Sequence, residues 1–542
     1  MPDYEDDGTR LVGMWQDGKL LRDYITVNKG QQFRYDAALR NANNDLNPPF
    51  QILLLHTISS FFPGKFSWYY GFALNLAAFI VTQIYLYLFT KDITKNEFAA
   101  FGAILLYGFG VSGMNIAIYI RLYAVAVMFA VMFAYYSHRI YEKRNEKKLP
   151  IKELILLFIV CFLGAYTLHL FLALAFFITL IYSIYYLASK HFRMFFVHGF
   201  TCLISAGITL VLDPKTFEHF GGLDPSEQSY AEVSYPFTMQ VRQYLYMLTK
   251  DVFGPHVLEF ANVILESVAV FLGAIILFCI PIVFLLHKEP KFKEFVSKLK
   301  EKLKRIWEKR KNFQFVTVVL FVSMIIVVLF VAWRSSVYNM KEYSSRYIFV
   351  IYPLAAIWIT SVLYYLIMLI GERQKVANIA VLVLCVIMAV WTHFNPKADA
   401  YFFKHTEEGL TFTQIEPGAN VVINLSNDWL LVCFPPELYN IGKYFEAGFG
   451  NLKFDPELFK DIDRSVPCYL IADQTYILPD GVTYDDIKDT PQYEALKDMT
   501  YTEEDYIAYY LEMDEVKSIQ YVGLDAAFGR KCKIYKIEFE QE

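Results

Sequence analysis

Apolar runs of about 20 residues, the length a helix needs to cross roughly 30 Å of hydrocarbon, follow one another from Trp68 onward. Backbone amides inside lipid have to be satisfied within their own segment, so runs of this kind fold as helices. The runs predict ten spans near 68–90, 97–114, 117–137, 153–168, 170–188, 194–212, 266–287, 313–333, 347–370 and 376–394. Leu154 to Ala188 is 35 residues without a charge, about 52 Å as one helix, which is too long for one crossing and predicts a hairpin turning near His169. The run from Phe98 to Ser137 predicts a second hairpin, turning at Gly108, Gly110 and Gly113, because glycine accepts the backbone angles of a reversal. A chain that is 56% hydrophobic and only 19% charged is too apolar for an ordinary soluble enzyme. The expected class is a mainly α, polytopic helical membrane protein.

Charge is informative through its position. Lys and Arg crowd alternate loops: Lys91 and Lys95, then a cluster from Arg139 to Lys152, Lys190 and Arg193, eleven between Lys288 and Lys311, and Arg373 with Lys375. The intervening loops hold only Lys215, Arg242, Lys250, Arg334, Lys341 and Arg346, so the positive-inside bias makes the first set cytoplasmic. Three segments follow: an external loop with a juxtamembrane helix over 1–67, a transmembrane domain over 68–395, and an external domain over 396–542. In the last, the runs 420–425, 468–472 and 532–537 read as short strands between turn-rich segments, which predicts a small α/β fold. Asp23-Tyr24-Ile25-Thr26-Val27 reads as a further short strand. Phe292, Phe295, Val296, Leu299, Leu303, Ile306 and Trp307 recur at helical spacing among lysines, as in a helix lying on anionic membrane lipids. No basic patch is interleaved with exposed aromatics, so a nucleic-acid partner is not expected. The seven cysteines lack paired C-x-x-C spacing and read as small buried hydrophobes. Asn424-Leu425-Ser426 matches a glycosylation sequon but ends a strand expected to be buried.

Ionisable groups beside membrane helices are costly, so their placement is a signal. Asp45 lies three residues ahead of Pro48-Pro49, which open a short apolar helix; Arg121 and Tyr123 start a span; His169 sits at a hairpin turn; Arg346 and Tyr347 open another span. All of these fall at the predicted external face and are expected to line one pocket. Each also has a structural reading. A helix-end Arg snorkels to headgroups, a His in an apolar hairpin packs, Asp45 lies in turn-forming Asn-Asp-Leu-Asn, and tyrosine is common at membrane interfaces.

The motif Asp45-Leu46-Asn47-Pro48-Pro49-Phe50 resembles the Asp-x-His-Pro-Pro-Leu signature in the first external loop of GT-C membrane glycosyltransferases (family 39 and the RgtA/B/C/D-like group), with Asn47 where those proteins usually have His. Ile120-Arg121-Leu122-Tyr123 is similar to the group's Arg-Met-Tyr helix opening, with Tyr119 at a position that is often acidic. Thr167-Leu168-His169 is similar to its Thr-His-Tyr turn, and Ser345-Arg346-Tyr347 with Tyr352-Pro353 to its Arg-Tyr…Pro segment. The match covers roughly residues 20 to 360. It implies transfer of a sugar from a polyprenyl-phosphate donor to an extracytoplasmic glycan, lipid or protein acceptor. Asp45 would orient or deprotonate the acceptor hydroxyl. Arg121 and Arg346 would meet the departing phosphate, with Asn47, Tyr123, His169 and Tyr347 as further substrate-binding groups. Some relatives hold a divalent metal and others none; no ligand spacing here specifies one, and the cofactor stays open.

The alternative is a non-catalytic or degenerate membrane protein, or a transporter or flippase of lipid-linked sugars, for which charged or helix-breaking groups near the midplane and an internal repeat would be expected; the sequence shows neither. The resemblance also implies a preceding helix ending in an acidic pair. Its absence upstream of the first 67 residues leads to the expectation that Met1 is an internal methionine and that this chain alone is inactive.

Overall fold

The computed structural model describes residues 13–42, 47–214, 236–253, 294, 297, 314–334, 342–370, 374–393, 411, 413–425, 437–446, 458–460, 462–473, 503–527 and 530–540. It divides into two compact units: Met1–Ala37 with His56–Ser67 and Phe403–Glu542, and Ala38–Leu55 with Trp68–Phe402. The residues expected to form a separate N-terminal segment are therefore shared between the units.

The chain opens with strand β1 (Trp15–Asp17) and helix α1 (Lys19–Ile25). The strand expected at residues 23–27 is not formed. Lys19 faces Asp23 one turn on, Thr26 Oγ1 donates to the Arg22 carbonyl, and Leu21 is buried in the unit's core, so the leucines upstream draw the segment into a helix. Helices α2 (Tyr35–Ala42) and α3 (Phe50–Ser60) flank the Pro-Pro pair, whose two prolines are buried. Proline suits this position because its missing N–H would be unbonded at a helix start.

The membrane unit continues with α4 (Trp68–Thr94), α5 (Glu97–Gly108), α6 (Val111–Ile118), α7 (Tyr123–Glu142), α8 (Ile151–Ala165), α9 (His169–Ala188) and α10 (Phe192–Leu212). After these come α11 (Phe237–Phe253), α12 (Phe315–Arg334), a 3-10 helix over Glu342–Ile351, α13 (Tyr352–Ile370) and α14 (Gln374–His393). Among the described residues, six segments are long and apolar enough by themselves to cross a membrane, seven with α5 and α6 taken together, so the chain is a multi-pass helical membrane protein. The expected span at 266–287 and most of the basic amphipathic helix lie outside the described residues.

The α8–α9 reversal comes where it is expected, with His169 opening α9. The other does not. At Gly108 and Gly110 the chain bends by 58° into α6 without reversing, and it turns back only over Tyr119–Leu122. Glycine is required at the bend because of close backbone approach: a Cβ on Gly110 would stand 2.5 Å from the Leu106 carbonyl oxygen, and one on Gly113 would stand 2.1 Å from that of Tyr107.

One end of the bundle gathers the cation-rich loops. Arg139 pairs with Asp92 at 3.0 Å, Lys143 with Glu153 at 2.8 Å, Arg144 stacks over Tyr141 at 4.0 Å, and Asn96 Nδ2 donates to Asn378 Oδ1 at 2.6 Å. The Pro-Pro entry to α3, the Tyr119–Leu122 turn, the start of α9 and the 3-10 helix lie at the other end of the same helices.

In the other unit, β2 (Asn420–Asn424), β3 (Lys443–Glu446), β4 (Cys468–Asp473), helix α15 (Glu503–Leu511), β5 (Val516–Ala527) and β6 (Arg530–Phe539) complete a mixed sheet of order β1-β3-β2-β4-β6-β5. The three strands read from sequence are all present. β2 is parallel to both β3 and β4, and the outer pairs are antiparallel. Continuous apolar runs suit strands covered on both faces. One face packs Val422, Leu470 and Ile537 against Tyr506 and Tyr510 of α15; the other packs Val421, Ile423 and Ile471 against Leu21 of α1. Asn424 is buried and donates to the Tyr506 hydroxyl at 3.1 Å, so its amide is engaged inside the fold rather than presented for glycosylation. Cys161, Cys202, Cys385, Cys468 and Cys532 are buried free thiols.

Candidate functional site

The turn at residues 119–122 is built on α4. Asn75, fully buried, donates its amide to the carbonyls of Ala117 at 3.3 Å and Tyr119 at 2.7 Å, which lie where α6 runs out of helical partners. One turn earlier Gly71 lets the turn sit on the helix: a Cβ there would lie 2.2 Å from Ile120 Cγ2. The chain then doubles back, Arg121 N–H bonding the Tyr119 carbonyl at 2.7 Å, and Tyr123 opens α7.

Four of the residues singled out from sequence meet here. Tyr119 and Tyr123 stack at 5.6 Å, and Tyr123 lies edge-on to Phe349 at 5.6 Å, which joins α7 to the 3-10 helix. The Tyr123 hydroxyl is within electrostatic reach of both the Arg346 and the Arg121 guanidinium groups and of the Tyr119 and Tyr347 phenols. Arg346 donates Nη2 to the Tyr347 hydroxyl at 3.0 Å, and its guanidinium lies 4.9 Å from that ring's centroid. Arg121, Tyr123, Arg346 and Tyr347 are each half-buried. Two cations from chain positions 225 residues apart thus share one tyrosine-lined patch, an arrangement suited to an anion with several oxygens.

His169 is buried at the same end of the bundle, at the start of a helix that packs beside the 3-10 helix. The loop ahead of it is tied to the Pro-Pro motif, because the Phe50 N–H bonds the Tyr166 carbonyl at 3.1 Å and the Phe50 ring packs on Phe129 of α7 at 6.0 Å. Asn47 is half-buried just ahead of the prolines. Asp45 lies outside the described residues. Among the described residues, no group of three or more His, Cys, Asp or Glu side chains is placed to hold a metal ion.

Reading the sequence missed three residues here. Gly71 and Asn75 look like ordinary members of an apolar span; their only signal is a small and an amide residue at i, i+4 on one face. The third is Asp251, in the loop expected between spans. It is buried in α11, which packs against the 3-10 helix, and accepts the Tyr352 hydroxyl proton at 2.6 Å. A charged pair, Lys250-Asp251, ending an amphipathic helix was the available clue.

No family model and no curated protein matches the chain. Among solved structures it is similar to the glycosyltransferase ArnT from Cupriavidus metallidurans in the apo state, at 10% identity, over 96% of this chain and 95% of that one, with a TM-score of 0.47. It is also similar to ArnT from Cupriavidus metallidurans bound to undecaprenyl phosphate, at 10% identity and the same coverage, with a TM-score of 0.46.

Proposed function

We propose that this chain is an integral membrane glycosyltransferase of the GT-C type that transfers a sugar from a polyprenyl-phosphate donor to an extracytoplasmic acceptor. The observation that carries the reading is that the Arg121–Tyr123 turn packs, through the Tyr123–Phe349 ring contact at 5.6 Å, on the 3-10 helix that carries Arg346, at the bundle end opposite the cation-rich loops. When the sugar leaves, negative charge grows on the lipid phosphate. Two guanidinium groups held in place beforehand stabilise that charge without reorganising, which is the dominant catalytic device for such steps. Asp45, in the motif that enters α3, takes the acceptor proton. Asn47, His169 and Tyr347 bind sugar or phosphate oxygens. The positive-inside bias supports placing this end, and the sheet unit, outside the cytoplasm.

The test is transfer from a polyprenyl-phosphate sugar by the protein in lipid nanodiscs. Asp45→Asn is expected to lower the rate by roughly 10²-fold or more. Arg121→Lys is expected to weaken donor use, since a point charge does not reproduce the guanidinium fork. Undiminished transfer by Asp45→Asn would remove Asp45 from the mechanism. The 58° break between α5 and α6 supports a second reading, a flippase of lipid-linked sugars, because discontinuous helices recur in transporters. Movement of the labelled lipid between leaflets with no transfer product would favour that reading.

A further inference from the structure

The cation-rich end of the bundle holds a second cluster of polar side chains that the proposed transfer does not use. His198 of α10 bonds Ser137 of α7 through Nε2 at 3.3 Å, and its ring stands edge-on to two tyrosines of α9, Tyr182 at 5.9 Å and Tyr186 at 6.0 Å. Those two tyrosines stack on each other at 6.2 Å. Tyr182 also packs on Tyr141 at 5.5 Å, and the Arg144 guanidinium lies 4.0 Å from that same Tyr141 ring, which places the cluster beside the cation-rich loops. His198 and Tyr186 are 0% exposed and Tyr182 is 1% exposed. Yet His198 Nδ1 and the Tyr182 and Tyr186 hydroxyl oxygens have no hydrogen-bonding partner among the described residues. A buried polar group left unbonded is costly anywhere, and more so among membrane helices.

Three such groups on adjacent helices share the same remedy. We infer that His198, Tyr182 and Tyr186 ring an internal hydration site, in which one or more bound waters bridge the imidazole nitrogen and the two hydroxyls. Water suits the donor set, because each hydroxyl both donates and accepts and a neutral imidazole nitrogen does one or the other. A buried water normally makes about three such bonds. Near-complete burial leaves these atoms closed to a lipid headgroup or other large ligand. The site is thus a wet core between α7, α9 and α10, at the bundle end away from the arginine cluster.

Radiolytic hydroxyl-radical footprinting of the full chain in nanodiscs tests this directly, since radicals form on bound water. Tyr182 and Tyr186 are expected to be modified several-fold faster than Tyr352, an equally buried tyrosine whose hydroxyl is bonded to Asp251. Thermal unfolding provides the second measurement. If waters bridge the hydroxyls, Tyr182→Phe combined with Tyr186→Phe lowers the midpoint by about 2 °C or more; if the hydroxyls are dry and stranded, removing them raises it. Modification as slow as at Tyr352, or a raised midpoint, overturns the hydration site. So does density for a phosphate or lipid headgroup in the cluster.

Discussion

At the scale of single residues, a buried polar contact that bears on the candidate site is the one from Tyr352 to Asp251. Both side chains are almost fully buried, and the tyrosine begins α13 directly after the 3-10 helix that carries Arg346. The bond therefore ties the loop-borne helix α11 to the junction that sets where Arg346 stands. A hydrogen bond to a charged group is worth about 1.5–3 kcal/mol, and leaving a buried acceptor short of a donor costs a similar amount. Tyr352→Phe is expected to destabilise the protein by that order and to weaken donor binding more than it slows the bound complex. A thermal midpoint in nanodiscs, beside a separate KM and kcat for the lipid donor, checks both. An unchanged KM with an unchanged midpoint would mean that the bond positions nothing. Asp251 was hidden in the sequence because its partner is 101 residues away; the Lys250-Asp251 pair marks a charged site locally but not the partner that satisfies it. Arg121 and Arg346 were visible for the opposite reason, since a cation at the edge of an apolar run stands out whatever it touches.

At the scale of elements, the hydrophobic runs determined most of what formed. Nine of the ten expected spans fall on helices among the described residues, and the hairpin at His169 turns where length alone demanded it. The reading failed where tertiary contact outranks local preference. Glycines at 108, 110 and 113 suggested a reversal, but they serve a bend, and the reversal is held by Asn75 and Gly71 on a neighbouring helix. Residues 23–27 read as a strand, but Leu21 packs in the core of the unit from a helix that continues to Ile25. The Asn75 contact makes its own prediction. Asn75→Leu removes the amide's bonds to two carbonyls, each bond worth about 0.5–1.5 kcal/mol, in the turn that leads to Arg121. It is expected to lower both the thermal midpoint and transfer. Thr82→Val, at a buried hydroxyl of the same helix that bonds only its own preceding turn, is expected to lower neither by as much. Equal losses in the two variants would mean that the turn is held by packing alone.

At the scale of the whole molecule, the sheet makes a topological demand that no span count contains. β1 lies near the start of the chain and β3 more than 400 residues later, yet Trp15, Gln16 and Asp17 pair with Phe445, Tyr444 and Lys443 in antiparallel register. The junction is more than a backbone ladder, because the Trp15 indole N–H donates to the Leu458 carbonyl at 2.7 Å and its ring packs on Phe445 at 5.7 Å. Strands that share hydrogen bonds cannot lie across a bilayer from one another, since unpaired backbone does not persist in hydrocarbon. Residues 15–17 and the 420–539 sheet must therefore be on one side of the membrane, whichever side that is. The cation-rich loop at 143–149 is expected on the other. Single cysteines placed at exposed positions test this in sealed vesicles with a membrane-impermeant thiol reagent: Lys19→Cys and Lys517→Cys are expected to label together, and Glu146→Cys only after the vesicles are opened, or the reverse pattern in inverted vesicles. The five native thiols among the described residues are buried, and Cys279 and Cys433 are replaced by serine in every variant. Labelling of Lys19→Cys and Lys517→Cys from opposite sides would break the sheet. Labelling of Glu146→Cys from the same side as both would break the positive-inside assignment on which the extracytoplasmic acceptor rests.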